Sequence, residues 1–396
     1  MSSNVKDSVN AKGIIASMAK ANRTVSDYAQ LFLSNVPMID VRAPQEYTEA
    51  CAPGAVCIPL LDDQQRHLVG VEYKRTGKDA AIALGARLLD EQQRARRVAH
   101  WSQFVDANPG AVIYCARGGM RSNIASGLLG LTGDKSLSLP VVEGGYKALR
   151  RFLIQSLSDN VQRLPLVVVG GRTGIGKTHF LNSLERPLDL EGLAKHRGSS
   201  FGATTAAQPG NANFENQISV AMLRLASNDL TTVFVEDEAR LIGSNTVPIV
   251  LHDKMKASPM IILEETLEAR IDNVISDYVE QLLPLYTEKL GEQAGFEAYS
   301  EQHLNNLYRV RKRFGGENYA AALELGKAAL LQHKNNNDTS AYKPLVEMLL
   351  VKYYDPMYDY QLKAKEDRVV QRGNKHELAQ WCGDATQLDQ LASCPA

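Results

Sequence analysis

The sequence predicts an α/β protein: a parallel-sheet domain, then a second α/β domain carrying a phosphate loop, then a mainly helical C-terminal region. Three observations carry this. Short apolar runs of four to six residues recur with polar, helix-like stretches between them, as buried parallel strands joined by crossovers do. One such run leads directly into a GxxxxGK[ST] motif. Beyond about residue 265 no strand-like run is read, and apolar residues fall at helical spacing.

In chain order, residues 1–20 are polar and small and read as a loose tail or a first helix. Val36–Val41 and Ala111–Tyr114 are apolar runs bounded by polar, Gly or Pro residues, the pattern of strands covered on both faces. Leu164–Val169 opens a new unit, and Thr231–Val235 ends in Glu236-Asp237-Glu238. Glu264–Leu290, Ala320–His333 and Tyr342–Tyr354 are helical by spacing. The expected divisions are a tail over 1–20, a first domain over 21–157, a second over 158–300 and the helical region over 301–396.

Composition narrows the function classes. A chain of 396 residues exceeds what one hydrophobic core usually organises. Hydrophobic residues at 44% and charged residues at 22% exclude disorder and coiled coil for most of it. A net charge of -1 gives no global field toward nucleic acid or membranes, so a polyanion must meet a local basic patch. Five cysteines without a CxxC pair make neither a disulfide scaffold nor a zinc site and suit a reducing cytoplasm. With no apolar signal core and no run of roughly 18 apolar residues, a cytoplasmic protein without a membrane partner is expected.

Gly171-Arg172-Thr173-Gly174-Ile175-Gly176-Lys177-Thr178 follows the run Leu166–Val169, the strand–loop–helix context its motif requires. Gly171, Gly174 and Gly176 let successive backbone N–H groups turn toward one anion, and the next helix adds its positive end. Lys177 is expected against the outer phosphate and Thr178 on a magnesium ion. Asp237, in the acidic triplet after the fourth run, is the expected second magnesium contact, although three acids in a row also describe a solvated turn. The loop accepts a diphosphate as well as a triphosphate.

Cys115-Ala116-Arg117-Gly118-Gly119-Met120-Arg121-Ser122 follows Ala111–Tyr114 directly. A thiol at a strand end, with Arg117, Gly118 and Gly119 forming an anion cradle and Arg121 facing back, is placed to become a thiolate. Cys115 and Arg121 are the candidate catalytic pair. Cys51, Cys57, Cys382 and Cys394 read as ordinary buried thiols.

Here the chain resembles rhodanese domains over residues 20–155. Ile39–Tyr47 and Pro53–Pro59 look like that family's early signature, and Glu143–Leu149 like its closing one. Five residues separate Cys115 from Arg121, where sulfur-transferring rhodaneses have four. That wider spacing is the one found in cysteine-dependent phosphatases and implies a phosphate-sized ligand. With the phosphate loop, the implied fold is a rhodanese-like parallel-sheet domain followed by a P-loop NTPase-like α/β domain and a mainly helical C-terminal region.

Nearly the whole chain resembles the bacterial tRNA 2-selenouridine synthase family. The likeness rests on Val69–Gly77, Arg117–Ser122, Gly171–Thr178, Asp189–Gly202, Val235–Gly243 and Tyr353–Tyr358, with His196–Gly202 the most specific stretch. Ala116 stands where that family commonly has tryptophan. The resemblance implies an enzyme that converts wobble 2-thiouridine of tRNA to 2-selenouridine through an S-geranylated intermediate. Its substrates would be geranyl diphosphate and selenophosphate, with magnesium as a helper, no covalently bound cofactor, and a selenophosphate-producing enzyme as a partner. Arg197 would bind the diphosphate. His196 would handle a proton, or else serve as a cap or core histidine. Phe180 and Phe201 either line a prenyl pocket or are plain core, the commoner place for aromatic residues near a glycine loop.

For tRNA, residues 309–375 hold 13 Lys and Arg against 8 Asp and Glu, densest at Arg309, Arg311, Lys312 and Arg313. Such a cluster gives affinity without sequence choice, and is also what a solvated helix face looks like. Tyr353, Tyr354 and Tyr358 either stack on bases or pack. A cysteine-dependent phosphatase fused to a nucleotide kinase or ATPase fits the two loops separately but leaves His196–Gly202 unexplained. A nucleotide switch without catalysis fits less well with an intact cysteine and arginine.

Overall fold

The apolar runs form the middle of two separate five-stranded parallel sheets. The structure, a computed structural model, describes residues 23–130, 138–199, 201–202, 205–227, 231–384 and 386–388. The expected N-terminal tail lies outside them, as does Cys394. The chain divides into two units, Met1–Leu157 with Glu215–Ser227, and Ser158–Phe214 with Asn228–Ala396.

The first unit contains β1 (Thr24–Val25), β2 (Met38–Asp40), β3 (Ala55–Cys57), β4 (Val112–Tyr114) and β5 (Val141–Val142), in the order β1-β5-β4-β2-β3. Every pairing is parallel. Ile39, Ile113 and Val141 are buried on one side with Trp101, Ala125 and Leu129. Met38, Val112 and Val142 are buried on the other with Leu149 and Leu153. Covering both faces is what makes these strands continuous apolar runs. The cysteine loop leaves the C-terminal end of β4, in the middle of the sheet.

In the second unit, β6 (Leu166–Gly170), β7 (Pro187–Leu188), β8 (Val233–Glu236), β11 (Met260–Leu263) and β12 (Val369–Gly373) take the order β12-β11-β6-β8-β7. Between β8 and β11 lies a small antiparallel hairpin, β9 (Leu241–Ile242) and β10 (Asn245–Thr246). The phosphate loop leaves central β6, and the register sets Val169 beside Glu236. Ligands of open parallel sheets bind at such strand ends. A helical core follows, where Tyr299, Leu307, Val310, Tyr342 and Leu350 are buried together.

Two features differ from the sequence reading. Glu215–Ser227, expected within the second domain, belongs to the first unit. There Val220 is buried beside Leu31 and Phe32, and Asn216 donates to the Cys51 carbonyl at 2.8 Å. The region over 301–396 is mainly helical but also supplies β12, an edge strand whose Val-Val-Gln-Arg-Gly sequence, alternately exposed and covered, gives no apolar run. Among the described residues no helix is long and apolar enough to cross a membrane.

Candidate functional site

Each sheet presents one reactive loop. In the second unit, Gly176 takes a left-handed conformation (φ 80°) and begins the helix Lys177–Asn182. The Lys177 ammonium donates to the carbonyls of Gly171 (3.1 Å) and Arg172 (3.3 Å) and lies 5.5 Å from the Tyr358 ring centre. Arg270 fixes the loop from behind, donating to the Thr173 carbonyl at 3.0 Å while pairing with Asp355.

The Thr178 hydroxyl donates to Glu191 at 3.1 Å. Glu191, Glu236 and Glu238 bring carboxylate oxygens within 4.8 Å of one another. Glu236 is fully buried and neither of its oxygens has a hydrogen-bond partner. Burial, then the charge of Glu191, pushes its carboxyl up to about 8, and the same causes raise Glu238. Orphaned buried oxygens are costly, so this hard oxygen-donor set fits a divalent cation such as magnesium. A side chain at Gly198 would place its Cβ 2.5 Å from a Glu238 oxygen, so a larger residue there would displace the carboxyls.

Asp237, the expected magnesium contact, is turned away. Both of its oxygens accept from Lys365, at 2.6 and 2.7 Å. A backbone turn explains the correction: β8 ends at Glu236, and the Glu238 N–H donates to the Glu236 carbonyl at 2.9 Å, so the chain turns at Asp237, whose carboxylate goes to Lys365 while Glu238 joins Glu236.

Gly174, Gly176, Lys177, Thr178, His196 and Arg197 line one cavity of about 280 Å³, together with Tyr278 and Tyr358. Arg197 donates to the Asp277 carbonyl and to Gln281, with its guanidinium 5.3 Å from the Tyr278 ring centre. Burial lowers the His196 pKa, and its Nδ1 has no hydrogen-bond partner. Thr173, Ser199 and Tyr278 also line a narrow apolar cavity of about 50 Å³ that continues toward Val274, Leu345 and Leu349. Two π-helical turns, Ser276–Glu280 and Leu350–Tyr354, contribute Tyr278, Val279, Leu350 and Tyr354 to its wall. Phe201 lines this apolar cavity, whereas Phe180 is core beside Val167 and Val169.

In the first unit Cys115 is buried, and its sulfur accepts from the Ser122 hydroxyl at 3.3 Å. Burial works against the thiolate. It is outweighed by Ser122, by the backbone N–H groups of Arg117 and Ser122, and by the charge of Arg121, so the pKa falls. Gly118 and Gly145 let two loops touch: a Cβ on Gly145 would lie 2.2 Å from the Cys115 carbonyl oxygen. Arg117 is exposed. Arg121 is gripped by Glu46, donating to its two oxygens at 2.6 and 3.1 Å. Sequence reading passed over Glu46 as a partner, although it lies in the early signature.

Arg309, Arg311, Lys312 and Arg313 occupy the end of the helix Glu292–Phe314, where positive charge also suits the helix dipole. Arg309, Lys312 and Arg313 are exposed, and Arg311 lies over the Tyr308 ring at 3.4 Å. Tyr353 and Tyr354 are buried, and Tyr358 lies by Lys177, so these tyrosines pack rather than forming an exposed stacking surface.

The comparisons with known proteins are consistent with this geometry. The tRNA 2-selenouridine synthase AAA domain family matches residues 164–388. A tRNA 2-selenouridine synthase from Marinobacter nauticus is 42% identical over 360 residues, covering 91% of this chain and 97% of that protein. Its namesake from Photobacterium profundum is 42% identical, covering 90% of this chain and 97% of its own. The one from Pseudomonas syringae pv. tomato is 41% identical, covering 89% and 96%.

Proposed function

Because this chain belongs to the tRNA 2-selenouridine synthase family, enzymes that modify tRNA, we propose that it converts wobble 2-thiouridine to 2-selenouridine in two steps, through an S-geranylated intermediate. The observation that carries this reading is the phosphate cavity running into an apolar one through Thr173, Ser199 and Tyr278. That pairing suits a diphosphate with a hydrocarbon tail, whereas a nucleotide base would need polar partners.

In the first step the uridine sulfur attacks C1 of geranyl diphosphate, forming a C–S bond as the C–O bond to diphosphate breaks. Gly171, Gly174 and Gly176 present backbone N–H groups to the diphosphate, and Lys177 and Arg197 offset its charge. A divalent cation held by Thr178, Glu191, Glu236 and Glu238 would supply further charge stabilisation to the leaving group.

The second step belongs to the first unit, which we read as rhodanese-like from its cysteine loop at the centre of a parallel sheet. Selenophosphate gives its selenium to C2, the C–S bond breaks, the geranyl group leaves as its thiol, and the phosphoryl group passes to water. Alkylation makes sulfur the better leaving group. Cys115 and Arg121 hold the selenium donor, with Arg117, Gly118 and Gly119 forming the anion cradle. The basic residues Arg309, Arg311, Lys312 and Arg313 take tRNA phosphates, and a selenophosphate-producing enzyme supplies the donor in the cytoplasm.

Mass analysis of nucleosides from 2-thiouridine tRNA tests the scheme. Geranyl diphosphate alone gives S-geranyl-2-thiouridine, and later selenophosphate converts it to 2-selenouridine. Lys177→Ala blocks the first conversion but not the second. If Lys177→Ala leaves geranylation intact and abolishes nucleotide hydrolysis, the loop serves ATP or GTP instead.

A further inference from the structure

A second apolar cavity, unused by the chemistry above, lies within the first unit. It has a volume of about 440 Å³ and is bounded by the helices Asp63–Thr76, Lys78–Leu88 and Met120–Gly130. It opens to solvent past Tyr73 and Met120, and it has the size of a ligand pocket. Its wall is built from residues such as Leu61, Val69, Ile82, Leu89, Ile124 and Leu128.

Three further observations say what it holds. Leu60, Leu61 and Leu89 of its wall are buried in the same cluster as Cys115. Met120 and Arg121, which end the cysteine loop and begin the next helix, also line it. Its ionisable lining is cationic apart from the Tyr73 phenol: Lys78, Arg94 and Arg121, with no carboxylate. An apolar chamber with a cationic lining beside the thiol complements a hydrocarbon chain borne by a polyanion.

We propose that this cavity seats the geranyl chain of the S-geranylated uridine during selenium exchange, and so selects alkylated over unalkylated RNA. This rests on the S-geranylated intermediate proposed above. It assigns the chain a binding place in the first unit, apart from the diphosphate site where the donor is bound. Each buried methylene favours binding by about fourfold, so a ten-carbon chain outcompetes a methyl group by orders of magnitude.

The test uses the full chain, selenophosphate and two anticodon stem-loop RNAs, one carrying S-geranyl-2-thiouridine and the other S-methyl-2-thiouridine. The wild type exchanges selenium into the geranyl RNA with the higher kcat/KM, by at least about tenfold. Ala86 also lines the cavity, and Ala86→Phe, which fills it, brings that ratio toward one while leaving the S-methyl rate as it was. Retention of the wild-type ratio in Ala86→Phe overturns the assignment. Should Ala86→Phe lose activity on both RNAs, Ile82→Thr, which makes the wall polar, is read by the same ratio. A wild type that exchanges both RNAs equally defeats the cavity assignment alone; one that exchanges neither defeats the S-alkylated reading itself.

Discussion

The Thr178 hydroxyl donates to Glu191 at 3.1 Å, and Glu191 in turn stands beside the buried carboxyl of Glu236 and the half-buried one of Glu238. The phosphate loop therefore ends on a carboxyl cluster in which both Glu236 oxygens lack a protein partner, a set that takes either protons or a cation.

That cluster sets a pH dependence. Glu236 is pushed up to about 8 by burial and by Glu191. A carboxyl raised on folding holds its proton more tightly in the folded chain, so stability is greatest below its unfolded value and falls as pH rises toward its folded one. Denaturant unfolding should show stability declining from about pH 5 to about pH 8, by on the order of 1 kcal/mol per pH unit. Magnesium replaces the proton and flattens the slope. Glu236→Gln, which cannot ionise, reduces it without the metal and leaves the part that Glu238 contributes.

The cysteines should separate by reactivity. Cys115 is lowered, whereas burial pushes Cys57 up to about 11 and Cys382 up to about 12. A small alkylating reagent at neutral pH should label Cys115 ahead of Cys57 and Cys382, as peptide mapping would show. Ser122→Ala removes a hydrogen bond to the thiolate and raises the Cys115 pKa, with about a tenfold loss of thiolate for each unit. Glu46→Gln frees the Arg121 charge from its partner and moves the pKa the other way.

Much of this was legible in the sequence. Lys177, Thr178 and Cys115 lie in contiguous motifs whose spacing is itself the chemistry, and the long apolar runs marked the central strands. Partners brought together by folding were not. Glu191 approaches Thr178 only through the chain reversal between β6 and β8, and Glu46 reaches Arg121 across 75 positions. Nor was the choice of Glu236 and Glu238 over Asp237, which follows from a tight turn after the end of β8. The strand β12 was not, because an edge strand has no need of a continuous apolar run.

The basic helix end should govern RNA affinity. Changing Arg311, Lys312 and Arg313 to Gln removes charge at a cost of a few tenths of a kcal/mol to about 1 kcal/mol per residue in helix-end stabilisation. Filter binding of tRNA across a salt series should then show a weaker Kd and a log–log slope reduced by about 0.9 for each lost phosphate contact. Geranyl diphosphate binding should be unchanged. An unchanged slope would assign these residues to a solvated helix face.

The division of labour between the two loops is tested most directly by Cys115→Ala supplied with 2-thiouridine tRNA, geranyl diphosphate and selenophosphate, with nucleosides followed by mass spectrometry. S-geranyl-2-thiouridine should accumulate at the wild-type rate, and 2-selenouridine should not form. Equal loss of both products in a folded variant, or 2-selenouridine formed at the wild-type rate, would contradict it.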